Sequence, residues 1–363
     1  MHALRLGLIL VLTLFAQSSH ALRVTFINPG YADEGFWFSA TQTMQKAADS
    51  LKLEFEVLHA KRDPATALQL ARELANRPAS ERPDYVLLVN DKGSLVRGAQ
   101  ALGQAGIRSF AVFSGLLPQE RKRWLPRKTL PLLLGSLEAS DREAGALTSE
   151  ALISKGLRQL NPGNDGKLHM VAVVGDRSTP VAVHRYEGLR TAMARHPQVE
   201  MDGTLVANWR REDAAEQVAQ LLKKNPAIQL IWAGNERMAF GAIDALRAAG
   251  RQPGKDVLVS AIHSSREAVQ ALQDGTISTL AGGNFMAGAW ALVMLYDHHN
   301  GRDFVDEGLE SVQPMFMLFE RPDASAFLAR FGSGVEALDF AAYSKHLNPR
   351  VKRYNFSLAT LLR

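Results

Sequence analysis

Asn235 follows the apolar run 228–232 and Ala233-Gly234, and an amphipathic pattern begins directly after it. A polar residue there is a helix N-cap and, in an open parallel α/β sheet, also a group at the carboxyl end of a strand, where ligands bind. Either role suffices for it. Trp209, in Asn208-Trp209-Arg210, stands in a polar loop after the strand-like run 199–206, where an indole has no packing reason to be. Asn90 and His263 likewise follow apolar runs, 85–89 and 257–262. A neutral imidazole offers one donor and one acceptor, so His263 reads either as a pH-responsive ligand contact or as a hydrogen-bonded turn residue. Flat rings combined with planar amides suit a small hydroxylated molecule, whose C–H faces stack and whose hydroxyls take paired hydrogen bonds.

Covalent chemistry has no comparable support. The chain has no cysteine, which removes disulfides, thiolate metal sites, a thiol nucleophile and a lipid-modified cysteine. It carries no phosphate-binding P-loop, no Gly-x-Ser-x-Gly and no His-Glu-x-x-His. His298 and His299 are adjacent, so on a helix they face different ways and make poor partners for one metal. The expectation is binding rather than catalysis, with no cofactor and no metal.

The elements that must position these residues follow a regular rhythm. Strand patterns at 22–27, 53–58, 85–89 and 109–113 alternate with helical ones, the first with Ala40, Met44, Ala47, Ala48 and Leu51 on one stripe. Asp63-Pro64 opens the second helix as N-cap and first helical residue. Residues 116–130, with Pro118, Pro126 and a basic cluster at 121–123, break the rhythm as a surface excursion. A strand at 132–137 resumes it, and from Asp141 a second series runs to about residue 262. Two βα series mean two similar doubly wound parallel-sheet lobes with right-handed crossovers, an α/β fold. Two domains also suit 363 residues, 46% hydrophobic and 22% charged.

Residues 1–21 stand apart. Arg5, an apolar stretch over 6–15 and Ser19-His20-Ala21 have the form of a secretory signal cleaved after Ala21, too short to span a bilayer. Its removal lowers the formal charge from +5 to +4, and the basic residues are dispersed, which argues against a nucleic-acid face. The mature protein is expected unlipidated and free in an exported compartment, most simply a bacterial periplasm.

The order of elements, with Ala233-Gly-Asn235-Glu-Arg-Met-Ala-Phe-Gly-Ala, Asn28-Pro29 before Phe36-Trp37, Asp141 to Gly145 and Arg185-Tyr-Glu-Gly-Leu189, resembles the type I periplasmic binding proteins of the ribose-binding class. A looser likeness to periplasmic autoinducer-2 receptors runs from Pro29-Gly30 to Trp37. The resemblance implies a three-segment hinge near 135–140, 281–284 and 311–315. The lobes are then residues 22–137 with 284–310, and 138–283 with 311–340, leaving 341–363 as a C-terminal tail. It implies ligand contacts at Asn28, Phe36, Trp37, Asn90, Ser114, Arg185, Trp209, Asn235 and His263. Phe36 is equally readable as core, and Arg185 as a surface charge of its helix.

Departures from the family pattern bear on the ligand. Ser114-Gly115 stand where an acid and an arginine are usual, His263 where an aspartate is, and Gly282-Gly283 where a glutamine is. Loss of two carboxylates that accept pairs of hydroxyls argues against a free pentose or hexose held in the usual way. The resemblance implies a monomeric solute-binding protein that closes on a carbohydrate-like ligand and delivers it to a membrane ABC permease. Two alternatives are a periplasmic sensor partnering a histidine kinase or chemoreceptor, which the altered pocket and the excursion favour, and a repressor core, which the signal sequence opposes.

Overall fold

A computed structural model describes residues 21–331 and 338–362, so the expected signal lies outside the described residues except for Ala21. The first lobe begins β1 (Arg23–Asn28), α1 (Gly35–Leu51), β2 (Glu54–His59), α2 (Pro64–Asn76), β3 (Tyr85–Leu88), α3 (Leu95–Gln104) and β4 (Arg108–Val112). In α1 the spaced residues Ala40, Met44, Ala47, Ala48 and Leu51 are all buried, each large one contributing roughly 1.5–3 kcal/mol. Asp63 caps α2 by accepting from the backbone N–H groups of Ala65 and Thr66, at 3.1 and 3.0 Å. A short α4 (Pro118–Arg121) lies in the excursion, before β5 (Leu133–Ala139).

The second series is α5 (Asp141–Gln159), β6 (Leu168–Val174), α6 (Pro180–Met193), β7 (Val199–Val206), α7 (Arg211–Lys224), β8 (Ile228–Ala233), α8 (Glu236–Ala248), β9 (Leu258–Ile262), α9 (Arg266–Asp274) and β10 (Thr279–Gly282). After it come α10 (Ala287–His299), β11 (Glu310–Gln313), β12 (Met317–Leu318), α11 (Arg321–Phe331) and α12 (Ala359–Leu362).

The strands form two six-stranded sheets, β11-β5-β4-β3-β1-β2 and β12-β10-β9-β8-β6-β7, parallel except for the antiparallel β10–β12 pair. In each, the chain order reverses once, between β1 and β3 and between β6 and β8. Those reversals are where loops diverge at the carboxyl ends and leave a crevice.

Two boundaries differ from the sequence reading. Residues 138–139 and 311–313, expected in the second lobe, lie in the first sheet, because β11 pairs in parallel with β5 from Glu310↔Ser136 to Gln313↔Ala139. The four-residue run Glu-Ser-Val-Gln is too short and polar to show a strand pattern. The tail, from which the sequence gives little, packs on α10: the Phe356 ring stacks on Trp290 with centroids 5.2 Å apart. Fully buried Asp297 of α10 accepts from the Tyr354 hydroxyl at 2.8 Å, from the N–H groups of Lys345 and His346, and from the Ser344 hydroxyl.

Candidate functional site

The loops leaving both strand-order reversals meet at a cavity of about 80 Å³ between the lobes, beside a wider cleft of about 1120 Å³ that shares Glu34, Arg62, Trp209 and Glu236 with it. The first sheet brings Phe36 and Trp37 on α1, Asn90 after β3 and Ser114 after β4; the second brings Arg185 on α6, Trp209 after β7, Asn235 after β8 and His263 after β9. Four of the lining residues, Arg62, Phe113, Trp209 and His263, have φ of 64°, 66°, 66° and 89°. The left-handed region is unfavourable for such side chains, and residues held there concentrate at functional sites.

Arg185 is the centre of the second-lobe wall, and it is not a surface charge. It is 2% exposed; Nε donates to Asp141 Oδ1 at 2.7 Å, Nη1 to the Gly234 carbonyl at 2.7 Å and Nη2 to His263 Nε2 at 3.1 Å. These contacts require α5 and α6 to touch. A Cβ at Gly145 would lie 2.0 Å from the Arg185 carbonyl oxygen, and one at Gly188 2.1 Å from that of Arg142, so glycine at both crossings lets Arg185 reach Asp141. Of the five guanidinium N–H groups, one on each Nη has no hydrogen bond among the described residues. Burial raises the Asp141 carboxyl's pKa, and the Arg185 charge opposes the rise.

Because Arg185 donates to His263 Nε2, the imidazole proton resides on Nδ1. Burial first, then the charges of Arg185 and Arg62, hold the His263 pKa well below its ordinary value, so the ring is neutral. Its face lies on the Phe36 ring of the opposite lobe, centroids 4.3 Å apart and planes inclined 23°. Phe36 in turn meets Trp37 and Phe113 edge-on, at 4.9 and 5.7 Å. Trp209 lies over Gly175, where a Cβ would come within 2.1 Å of the indole, and the Arg185 guanidinium carbon is 5.9 Å from its ring centre.

The amides divide. Asn235 caps α8, its Oδ1 accepting from Met238 N–H at 2.9 Å, and its Nδ2 has no partner among the described residues. Asn90 spends both amide hydrogens on protein, donating to the Gly115 carbonyl at 2.8 Å and to Glu120 Oε2 at 2.7 Å. The Ser114 hydroxyl donates to the Asn90 carbonyl at 3.3 Å. Asn28, expected beside them, does not line the cavity: its Oδ1 turns back to accept from Gly30 N–H at 2.8 Å.

The cavity also takes residues that the sequence reading did not single out as contacts, among them Glu34, Arg62, Asp91, Phe113, Asp141, Glu236 and Asn284. Arg62 bridges Glu34, whose two carboxylate oxygens it binds, and Asp91 at 3.9 Å. Burial pushes the Glu236 pKa up to about 6, although its Oε2 accepts from Ser265 N–H at 3.0 Å. Asn284 follows the Gly282-Gly283 pair, and its Oδ1 is buried without a partner among the described residues. Asparagine beside a hinge glycine pair was the available signal for it. Among the described residues no group of three or more His, Asp or Glu could hold a metal ion.

The sequence profile of the periplasmic binding protein domain matches residues 24–303. The crystal structure of a periplasmic sugar-binding protein from Pseudomonas fluorescens is 37% identical and superposes with a TM-score of 0.85, covering 94% of this chain and 100% of that one. The ribose import binding protein of Escherichia coli K12 is 27% identical over 264 residues, 72% of this chain and 78% of its own length. The D-apiose import binding protein of Actinobacillus succinogenes is 25% identical over 284 residues, 78% of this chain and 80% of its own. Two sheets whose reversal points face one cavity, a profile match across both lobes and a relative alike over nearly the whole chain agree: the chain belongs to the periplasmic binding protein family.

Proposed function

We propose that this protein is an exported, monomeric solute-binding protein that captures a small carbohydrate-like ligand between its lobes and delivers it to a membrane ABC permease. It is cleaved after Ala21 and, having no cysteine, carries no lipid anchor. The observation that carries the reading is the convergence of both strand-order reversals on one cavity that combines ring faces with unspent donors on Arg185 and Asn235. Phe36, Trp37, Ser114, Arg185, Trp209, Asn235 and His263 contact the ligand, and Asn90 shapes the wall rather than donating. The lobes turn about the three crossings after β5, β10 and β11. A ligand touching both lobes favours the closed state by its differential affinity, and no bond is made or broken. The names of the relatives support a sugar as ligand.

The test is calorimetry and thermal shift of the chain from Leu22 onward against sugars and polyols. Saturable one-to-one binding is expected, with a stability gain of about 2.7 kcal/mol at a ligand concentration of ~100 Kd. Absence of binding across the set would remove the reading.

A further inference from the structure

A second chamber of about 240 Å³ adjoins the interlobe cavity and shares with it Phe113, Ser114, Ala139, Asp141, Pro180 and Val181. Its own walls come from Leu117, Pro118 and Arg121 of the excursion, Glu138 of β5, His184 of α6 and Val312 of β11.

The excursion is built as a wall rather than left as a loose loop. Glu120 Oε2 accepts from Asn90 Nδ2 at 2.7 Å and from Leu117 N–H at 2.8 Å, which ties the segment to the floor of the first cavity. Arg121 Nε donates to Glu310 Oε1 at 2.8 Å, and Arg127 makes two bonds to Asp303, at 2.6 and 2.8 Å. Leu116 and Leu130, at its two ends, are buried in the first lobe.

We infer that this chamber is a subsite for a second unit of the ligand, so that the captured solute is a saccharide of two units rather than a free monosaccharide. The inference rests on the sugar-capture reading and deepens it. The first cavity takes one unit between the lobes, and the shared wall at Ser114 and Pro180 is where the link between units passes. The chamber's chemistry suits a hydroxylated ring: aliphatic surface from Leu117, Pro118 and Val312 lies beside a carboxylate, a guanidinium and an imidazole that accept from and donate to hydroxyls.

The experiment titrates the protein by calorimetry with D-ribose, D-glucose and D-galactose and with disaccharides containing them. It does so for the native chain, for Val312→Trp, whose site is 58% exposed and tolerant of a larger side chain, and for His184→Trp. The expected result is one disaccharide bound at least about tenfold more tightly than its own monosaccharides, with that advantage lost in the tryptophan variants and monosaccharide affinity kept within about twofold. Equal or tighter binding of the monosaccharide overturns the subsite and leaves sugar capture standing. So does a disaccharide advantage that neither folded variant reduces. If no saccharide of either size binds, the capture reading falls and the subsite falls with it.

Discussion

The imidazole of His263 lies flat against the phenyl ring of Phe36, centroids 4.3 Å apart, and joins the two lobes across the cavity. The Arg185 bond to Nε2 requires a neutral ring and fixes its tautomer. An aspartate in this place could accept from Arg185 but could not stack. Phe36→Ala is expected to weaken ligand binding by about two- to tenfold, since an aromatic pair contributes roughly 0.5–1.5 kcal/mol beyond its buried area. Calorimetry checks this, and unchanged affinity would show that the stack does not help closure.

His263 is too strongly depressed to switch binding near neutral pH, so affinity should not change through its titration between pH 6 and 8. Its effect falls on stability. A histidine whose folded pKa is below the unfolded one stabilises the native state above the unfolded pKa, about 6.5, and that contribution is lost as pH falls. Melting curves of His263→Gln and native protein should therefore differ in slope below pH 6.5. Parallel curves would contradict the burial argument.

Glu236 acts in the opposite sense. Its folded pKa of about 6 exceeds the ordinary 4.5, so the native state loses stability as pH rises from 4.5 to 6, by about 2 kcal/mol in all. Glu236→Gln should match the native protein below pH 4.5 and be more stable above pH 6 by that amount. Denaturant midpoints across this range provide the measurement.

Arg185 cannot be removed without touching the fold. Arg185→Ala strands the buried Asp141 carboxylate and should cost about 3–5 kcal/mol, whereas Arg185→Met combined with Asp141→Asn should cost markedly less. Urea unfolding of the single and double variants separates the two cases. If the single variant is as stable as the native chain, the pair is not structural.

Trp209 is half-buried, lying over Gly175 and packing against the edge of the core. Trp209→Ala should lower affinity at least about tenfold while changing stability by under about 1 kcal/mol. Gly175→Ala forces the indole away and should reproduce the affinity loss without touching the ring. Ligand-induced tryptophan fluorescence reports both.

Much of the scaffold was legible because it rests on local rules. The α1 stripe, the Asp63-Pro64 helix start and the limits of β6 and β7 all follow from side-chain period and capping. β11 stayed hidden because pairing, not composition, makes it a strand. The site was legible to the extent that chain ends of strands collect at the cavity. What each side chain does there depends on distant partners: Asn90 on Glu120, Arg185 on Asp141, Arg62 on Glu34. No periodicity encodes such pairs, whereas Asn28 is turned from the cavity by a bond within its own loop, to Gly30 N–H.

The packing of residues 338–362 on α10 sets an order for the chain's synthesis. Trp290 and Asp297 belong to the lobe whose β1 emerges first, yet their covers, Phe356 and Tyr354, are made after both sheets. Until residue 356 is available, the early lobe exposes an indole and a buried-type carboxylate without partners. Early and late segments of the polypeptide must therefore meet before the first lobe is complete.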